Sequence, residues 1–399
     1  MYLRPESPGI YKLILMADKN IDLIIVGGGV LGAFHAYFAL QKGLKVMLLE
    51  KDSHPSEATV RNFGQIVPSG MAEGEWFEYG RTSLETYQHI QSRLDISIRQ
   101  NGSCYFASSE VEMQVLEEKH ARYRDLDYES VVLTSEQCRQ LFDALRPDYC
   151  YGGLSFPQEV TAEPALMIHR LIAYMQEQEG LIYRPSTPVV ACDDKDSGCE
   201  VVDAFGNQYQ AAQVIICSGR DFKFLFPTLF YTSDLQVCKL QMMSTYPMPD
   251  VKLPGSILTG LSIRRYYAFH YCPSYHRLNP EEIDPDLRKY GIHILFKQAA
   301  DGSIIIGDSH EYADADKTEE LDFGIDDRVN QLVIKEAQRI LHLPDWRVAR
   351  SWNGFYAQHR SQAIFERTLN KNIHIVTGIG GKGMTTACGY AKQYIEKMA

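Results

Sequence analysis

Two glycine-rich turns and one basic-aromatic run carry most of the chemistry open to this 399-residue sequence. In "VGGGVLG", Gly27, Gly29 and Gly32 fit G-x-G-x-x-G, with Gly28, Val30 and Leu31 between them. The first glycine permits a tight turn. The second lets backbone N–H groups approach a pyrophosphate, and the third lets helix and strand pack closely. Glu50 follows 18 positions after Gly32. A carboxylate there can accept hydrogen bonds from both ribose hydroxyls of an adenosine, and it would repel a 2′-phosphate. A second such turn comes late in the chain, where Gly380, Gly381, Lys382, Gly383 and Met384 lead into Thr385 and Thr386. Between the two turns, Arg264, Arg265, Tyr266, Tyr267, His270 and Tyr271 crowd into eight positions. Arginine and tyrosine together suit bidentate binding of a carboxylate or phosphonate.

Positioning the first turn requires a βαβ unit. "IDLIIVG" is a short β-branched run that reads as a buried parallel strand. "VLGAFHAYFALQKG" has helical apolar spacing and stops at Gly43, and "LKVMLLEK" is the next strand, carrying Glu50 and Lys51 at its end. A glycine-rich turn without a ligand is the competing assignment. Strand, turn, helix, strand and acid in register argue against it, although the motif does not separate NAD from FAD. The run "SIRRYYAFHYCPS" reads as a strand. Its faces would then alternate, with Arg265 and Tyr267 on one and Arg264, Tyr266 and His270 on the other. An exposed sheet edge is the alternative there, and the sequence does not choose the face.

Composition sets the outer limits. Hydrophobic residues make up 45% and charged residues 23%, ordinary for a globular chain long enough for about two domains. The net charge of -11 argues against nucleic acid or an anionic membrane as partner. Nine scattered cysteines without a C-x-x-C pair argue against a disulfide framework or a zinc site and favour the cytoplasm. No apolar run reaches the roughly 18 residues of a membrane span, and no H-x-x-x-H spacing suggests a metal. Residues 1–15 are expected to form a peripheral extension, with Met16 a candidate start.

Three further segments favour FAD. "ATVRNFGQIVPSG" (58–70) reads as an irregular loop where a nicotinamide enzyme would begin a helix. Residues 181–219 hold short strands and end in "QVIICSG", with Gly219 placed for close backbone approach. "NIHIVTGIGGKGMTTACGYAKQYIEK" runs from strand through glycine turn to helix, a second helix N-terminus suited to a long two-ended ligand. With "GGLSFPQEVTAEPALMIHRLIAYMQEQEG" and "DGSIIIGDSHEY", these landmarks resemble, in order, the superfamily of FAD-dependent amine and amino-acid oxidases, the group of glycine oxidase, monomeric sarcosine oxidase and D-amino-acid oxidase. "RNFG" is similar to a bacterial subgroup proposed to oxidise aminophosphonates.

The resemblance implies an α/β (α+β overall) fold. A Rossmann-like FAD-binding domain with a parallel central sheet (16–92, 152–232 and 340–399) is interleaved with a substrate domain on an antiparallel sheet (93–151 and 233–339). It implies FAD contacts at Gly27–Gly32, Glu50, Lys51, Ala58, Thr59, Arg61, Asn62, Phe63, Gly64, Val189, Ser218, Gly219, Gly354 and 380–385. Arg61 is a second candidate anion ligand, with a surface salt bridge as its rival role. Trp352 and Tyr356 would lie over the flavin, and core packing is their alternative. Arg265, Tyr267 and His270 are candidate substrate ligands, and Lys382, Thr385 and Tyr356 candidate catalytic groups. The C-terminal helix start would stabilise negative charge on the reduced ring, with Lys382 adding a full charge.

Two departures bear on the chemistry. Gly354 stands where monomeric sarcosine oxidase has its flavin-tethering cysteine, which implies noncovalent FAD. Thr385 stands where that enzyme has an oxygen-activating lysine, so either O2 or another acceptor would take the electrons. The expected reaction is hydride transfer to flavin N5 from the carbon next to nitrogen in a small acidic amine, with the imine then hydrolysed. The substrate would be an amino acid, an N-methyl amino acid or an aminophosphonate. A 2-hydroxy-acid or alcohol dehydrogenase and a noncatalytic FAD-binding subunit of a complex are the alternatives.

Overall fold

A computed structural model describes residues 21–196 and 198–398; the expected 1–15 extension and the Met16 start lie outside them. The opening βαβ unit forms as its sequence requires: β1 (Ile21–Val26), α1 (Val30–Gln41) and β2 (Val46–Leu49). β1 pairs in parallel with β2 on one side and with the strand Gln208–Ile216 on the other. Ile182–Arg184 and Ile373–Thr377 extend the parallel run at its two ends. Antiparallel strands Phe365–Leu369, Gly198–Asp203 and Val189–Lys195 complete an eight-stranded sheet. Both faces of its centre are covered, which explains the near-continuous Ile/Leu/Val composition of β1 and β2.

A second, nine-stranded sheet is antiparallel apart from one parallel pair, Ser103–Ala107 with Ser256–Leu258. Its longest pairing joins Leu235–Thr245 to Val348–His359. Strands Gly152–Phe156 and Val348–His359 sit in this second sheet, although both fall in segments expected to belong with FAD. Apolar clusters pack on both of its faces, and the amphipathic helix Asp327–Ile340 covers one of them. Loop 58–70 is irregular, as expected, built from two short 3-10 turns and a two-residue strand. Among the described residues, no helix is long and apolar enough to cross a membrane.

One expectation is overturned. The run from Ser262 is not a strand: Gly260–Arg265 is a helix, followed by 3-10 turns at Tyr267–Phe269 and Pro273–Arg277. Ser262 is the local cause, because its Oγ accepts from Thr259 N (3.4 Å) in a capping arrangement that starts the helix. β-branched and aromatic composition suggested a strand, but cap and tertiary burial of Ile263, Ala268 and Phe269 decided otherwise. The alternating-face assignment of Arg265 and Tyr267 against Arg264, Tyr266 and His270 therefore does not hold.

Candidate active site

A cleft of about 1080 Å³ is lined by residues of both sheets, and two helix N-termini open onto it. Gly29, Val30, Leu31 and Gly32 bring the start of α1; Gly383, Met384 and Thr385 bring the start of Gly383–Met398. Gly27 lies beneath the cleft wall: its φ is +103°, and a Cβ would overlap the Cys217 carbonyl. A Cβ on Gly32 would overlap the Gly27 carbonyl, so this glycine lets α1 sit against β1. Gly29 differs. Its Cβ would meet only Thr59 Oγ1, at 3.2 Å, and would otherwise project into the cleft. Thr59 Oγ1 already accepts from Val30 N (2.9 Å).

This geometry suits a dinucleotide such as FAD. Besides the open space over Gly29, the buried Ser218 Oγ lines the cleft and has no hydrogen-bond partner among the described residues. Gly219 has nothing within 4 Å of its Cβ position. Glu50 is 6% exposed at the end of β2 and lies behind the wall rather than on it, with Oε2 accepting from Gly28 N (2.8 Å) and Oε1 from Asp52 N (3.0 Å). Lys51, Ala58, Asn62 and Phe63 line the cleft; Gly28, Gly64 and Val189 do not.

At the other end stands the late glycine turn. Gly380 has φ +65°, and a Cβ on Gly381 would come 3.5 Å from the Tyr356 hydroxyl. Lys382 is half-buried rather than free in water. Its Nζ donates to Ala363 O (2.7 Å) and Ile379 O (2.9 Å) and lies 4.9 Å over the Trp76 ring. Burial pulls its pKa down to about 8. Thr385 Oγ1 accepts from Val67 N (3.2 Å), tying the helix start to loop 58–70.

The facing wall carries a further group of ionisable residues. Arg265, Tyr266, Tyr267, His293, Asp308, His310, Tyr312 and Tyr356 all line the cleft. Arg265 is exposed within it and donates from Nη2 to the Tyr312 hydroxyl (3.2 Å). Asp308, 5% exposed, places Oδ1 3.1 Å from His293 Nδ1 and 3.9 Å from His310 Nδ1. Burial pushes its carboxyl up to about 7, and Arg265 opposes that rise. Burial, reinforced by Arg265, holds both histidines well below their ordinary value.

Several sequence candidates lie elsewhere. Arg61 points away from the cleft, donating from Nε to Ser56 O (2.8 Å) and from Nη1 to Asn353 O (3.3 Å). Trp352 donates from Nε1 to Arg61 O (3.2 Å), and Gly354 packs against the same carbonyl; neither reaches the wall. His270 meets Tyr267 edge-on and lies tilted against Tyr275 at the surface. Arg264 is held by Glu112 (2.6 Å) and Glu282 (3.1 Å).

Sequence reasoning missed His293, Asp308 and His310. The available signal was "GDSHEY", where Asp308 and His310 alternate beside a buried strand. The donor atoms of the three lie within 4.8 Å of one another, a proximity that a search for i, i+4 histidines does not find. Arg265 bears on the same carboxylate and opposes a cation there, so the group reads as a proton-handling cluster.

Comparison with known proteins gives consistent results. A family model described as DAO, FAD dependent oxidoreductase, matches residues 22–397. The chain is similar to a subunit of opine oxidase from Rhizobium meliloti, 23% identical over 357 residues, with 84% of this chain and 82% of that protein covered. It is also similar to N-methyl-L-tryptophan oxidase of Yersinia pestis (strain Pestoides F), 25% identical over 264 residues, covering 63% and 67%. Among solved structures, glycine oxidase from Geobacillus kaustophilus aligns over 95% of each chain with a TM-score of 0.74 at 16% identity, a likeness of fold.

Proposed function

Because the chain belongs to the DAO family of FAD-dependent oxidoreductases, we propose that it oxidises the C–N bond of a small amine carrying an acidic group. The observation that supports this most is one cleft joining two helix N-termini to a wall bearing the exposed Arg265. Gly29–Gly32, Ser218 and Gly219 are assigned to the dinucleotide, and Gly380–Thr385 with Tyr356 to its redox end. When bound, FAD supplies the acceptor for two electrons leaving as hydride from the carbon next to nitrogen. Arg265 and Tyr312 hold the substrate's acid group, since a guanidinium with one hydrogen bond keeps donors free for a carboxylate or phosphonate. Tyr267, 74% exposed, stands at the mouth. The helix start at Gly383 and the charge on Lys382 favour electron density at the redox end.

Amino acids, N-methyl amino acids and aminophosphonates share the required chemistry. FAD is held noncovalently, because Gly354 replaces the expected tether. All nine cysteines are buried and unpaired, which supports a cytoplasmic setting. An anaerobic screen of glycine, sarcosine, aminomethylphosphonate and 2-aminoethylphosphonate, followed by flavin absorbance, tests the reading. Bleaching is expected with at least one of them, and none with the matching hydroxy acids. Arg265→Ala should weaken apparent substrate affinity about tenfold or more and leave FAD content unchanged. Unaltered affinity would remove Arg265 from the pocket. The likeness to one subunit of an opine oxidase favours a second reading, in which this chain works within a complex. It predicts flavin reduction only when other chains are present.

A further inference from the structure

We propose that Asp308 takes the proton that the substrate ammonium must lose before its C–N bond is oxidised, with the His293 backbone holding it in place. The inference deepens the amine-oxidation reading and rests on it. Amines in water near neutrality are protonated, and an ammonium has no electron pair with which to expel hydride. A group in the cleft that accepts this proton lets the bound ammonium form react at neutral pH.

Position comes first. Asp308 follows the strand Ile304–Gly307, and its backbone is locked to the neighbouring chain: Asp308 N donates to His293 O (2.8 Å) and His293 N to Asp308 O (3.2 Å). The side chain thus stands just past a strand end on a backbone fixed by two hydrogen bonds, which is what a proton acceptor of fixed aim needs. Its Oδ1 is buried in the cleft wall without a well-aligned hydrogen bond, and the His293 Nδ1 opposite it is in the same state. Two of the ring nitrogens are engaged. His310 Nδ1 faces Gly291 O (3.1 Å), which can only accept, so that nitrogen carries its hydrogen toward the carbonyl. His293 Nε2 faces the Tyr266 hydroxyl (3.3 Å). Asp308 Oδ1 therefore keeps a lone pair free to accept a proton.

Charge comes next. Facing Asp308 are Arg265 and Tyr266 from the helix and its C-cap, His293 and His310 from the segments that lead into the strands Leu295–Gln298 and Glu311–Asp314, and Tyr356 and Cys238 from the long strand pair. Burial raises both tyrosines and the cysteine and lowers both histidines, so each stays neutral near pH 7. Arg265 is the one fixed charge in this set. Its partner in a zwitterionic substrate is the acid group, which leaves the ammonium for Asp308. The step balances. The substrate N–H bond breaks and an O–H bond forms on Asp308. The pair left on nitrogen forms the C=N bond as two electrons leave as hydride to oxidised FAD.

The test uses the FAD-loaded full chain and whichever of the four amines named above bleaches it. Wild-type flavin reduction, followed anaerobically, should accelerate as pH rises through about 7, where the Asp308 carboxyl ionises. Asp308→Asn should reduce its flavin about 10²–10⁴-fold more slowly at neutral pH. Its rate should then climb about tenfold per pH unit with the free amine. Infrared difference spectra between acid and alkaline pH should show a protonated carboxyl titrating near neutrality in wild type and missing in Asp308→Asn, a readout independent of turnover. Asp308→Asn keeping the wild-type rate and pH profile would overturn the proposal. If that variant does not hold FAD, a wild-type reduction rate flat between about pH 6 and 8, or no carboxyl titrating there, would overturn it as well. A wild-type protein that none of the amines bleaches would instead fell the amine reading itself, before Asp308 is in question.

Discussion

Gly29 and Gly32 are both glycines for steric reasons, but the reasons differ and substitution separates them. A Cβ on Gly32 meets the backbone of Gly27, so Gly32→Ala should destabilise the folded protein by about 3 kcal/mol even without cofactor. A side chain on Gly29 projects into the cleft, with Thr59 Oγ1 as its near neighbour. Gly29→Val should leave the apo-protein's denaturant midpoint nearly unchanged while abolishing FAD binding. Equal destabilisation of both, or a yellow Gly29→Val protein, would refute the distinction. Asp308 gives a second residue-scale prediction. Its carboxyl is pushed up to about 7 in the folded chain, against about 4 when unfolded. Between those values the folded state holds the extra proton, so this group's contribution makes stability fall as pH rises from about 4 to 7 and level off above. Asp308→Asn should flatten that part of the stability curve, measured by urea unfolding. An unchanged slope would mean the carboxyl is not perturbed. At this scale the glycines were legible, because their spacing in one short turn marks them. Asp308 was not: burial among elements distant in sequence, against the pull of Arg265, gives it its character.

At the scale of elements, the C-terminal helix does two jobs with one run of residues. Its first turn faces the cleft, and its middle packs on Glu75–Gln91. Gly389 makes that packing possible. It donates from N to Ser83 Oγ (2.9 Å), and a Cβ would overlap the Tyr79 carbonyl. Gly389→Ala should therefore force the two helices apart, at a cost of about 1–3 kcal/mol. It should also loosen FAD, because Gly383–Thr385 would move with the helix. Thermal melting with and without FAD checks both effects, and a variant that loses neither stability nor FAD affinity would show that the packing is slack. Elements with a single strong period, such as β1, α1 and β2, could be read from the sequence. The helix Gly260–Arg265 could not, since "SIRRYY" has β-like composition and owes its helix to the Thr259–Ser262 cap and to burial of Ile263. The position of Arg61 was illegible for a related reason. Carbonyls of Ser56 and Asn353 hold its guanidinium, and the second of these comes from a strand almost three hundred positions away.

For the whole molecule, the proposed function rests on the cleft lined by both sheets. One sheet brings the two helix N-termini, and the other brings Arg265, Asp308 and the two histidines, from segments that follow 232 in the chain. The dinucleotide half was visible in the sequence because a single βαβ unit and a single turn build it. The substrate half was visible only as a run of Arg and Tyr, because tertiary contacts select which of them reach the cleft. The most direct test is one titration: the purified protein with FAD, free of oxygen, receives a small acidic amine while its visible spectrum is recorded. The expected result is a yellow protein whose flavin bands bleach in proportion to amine added. A colourless protein that refuses FAD, or a yellow one that such amines leave oxidised while a hydroxy acid bleaches it, would contradict C–N oxidation in this cleft.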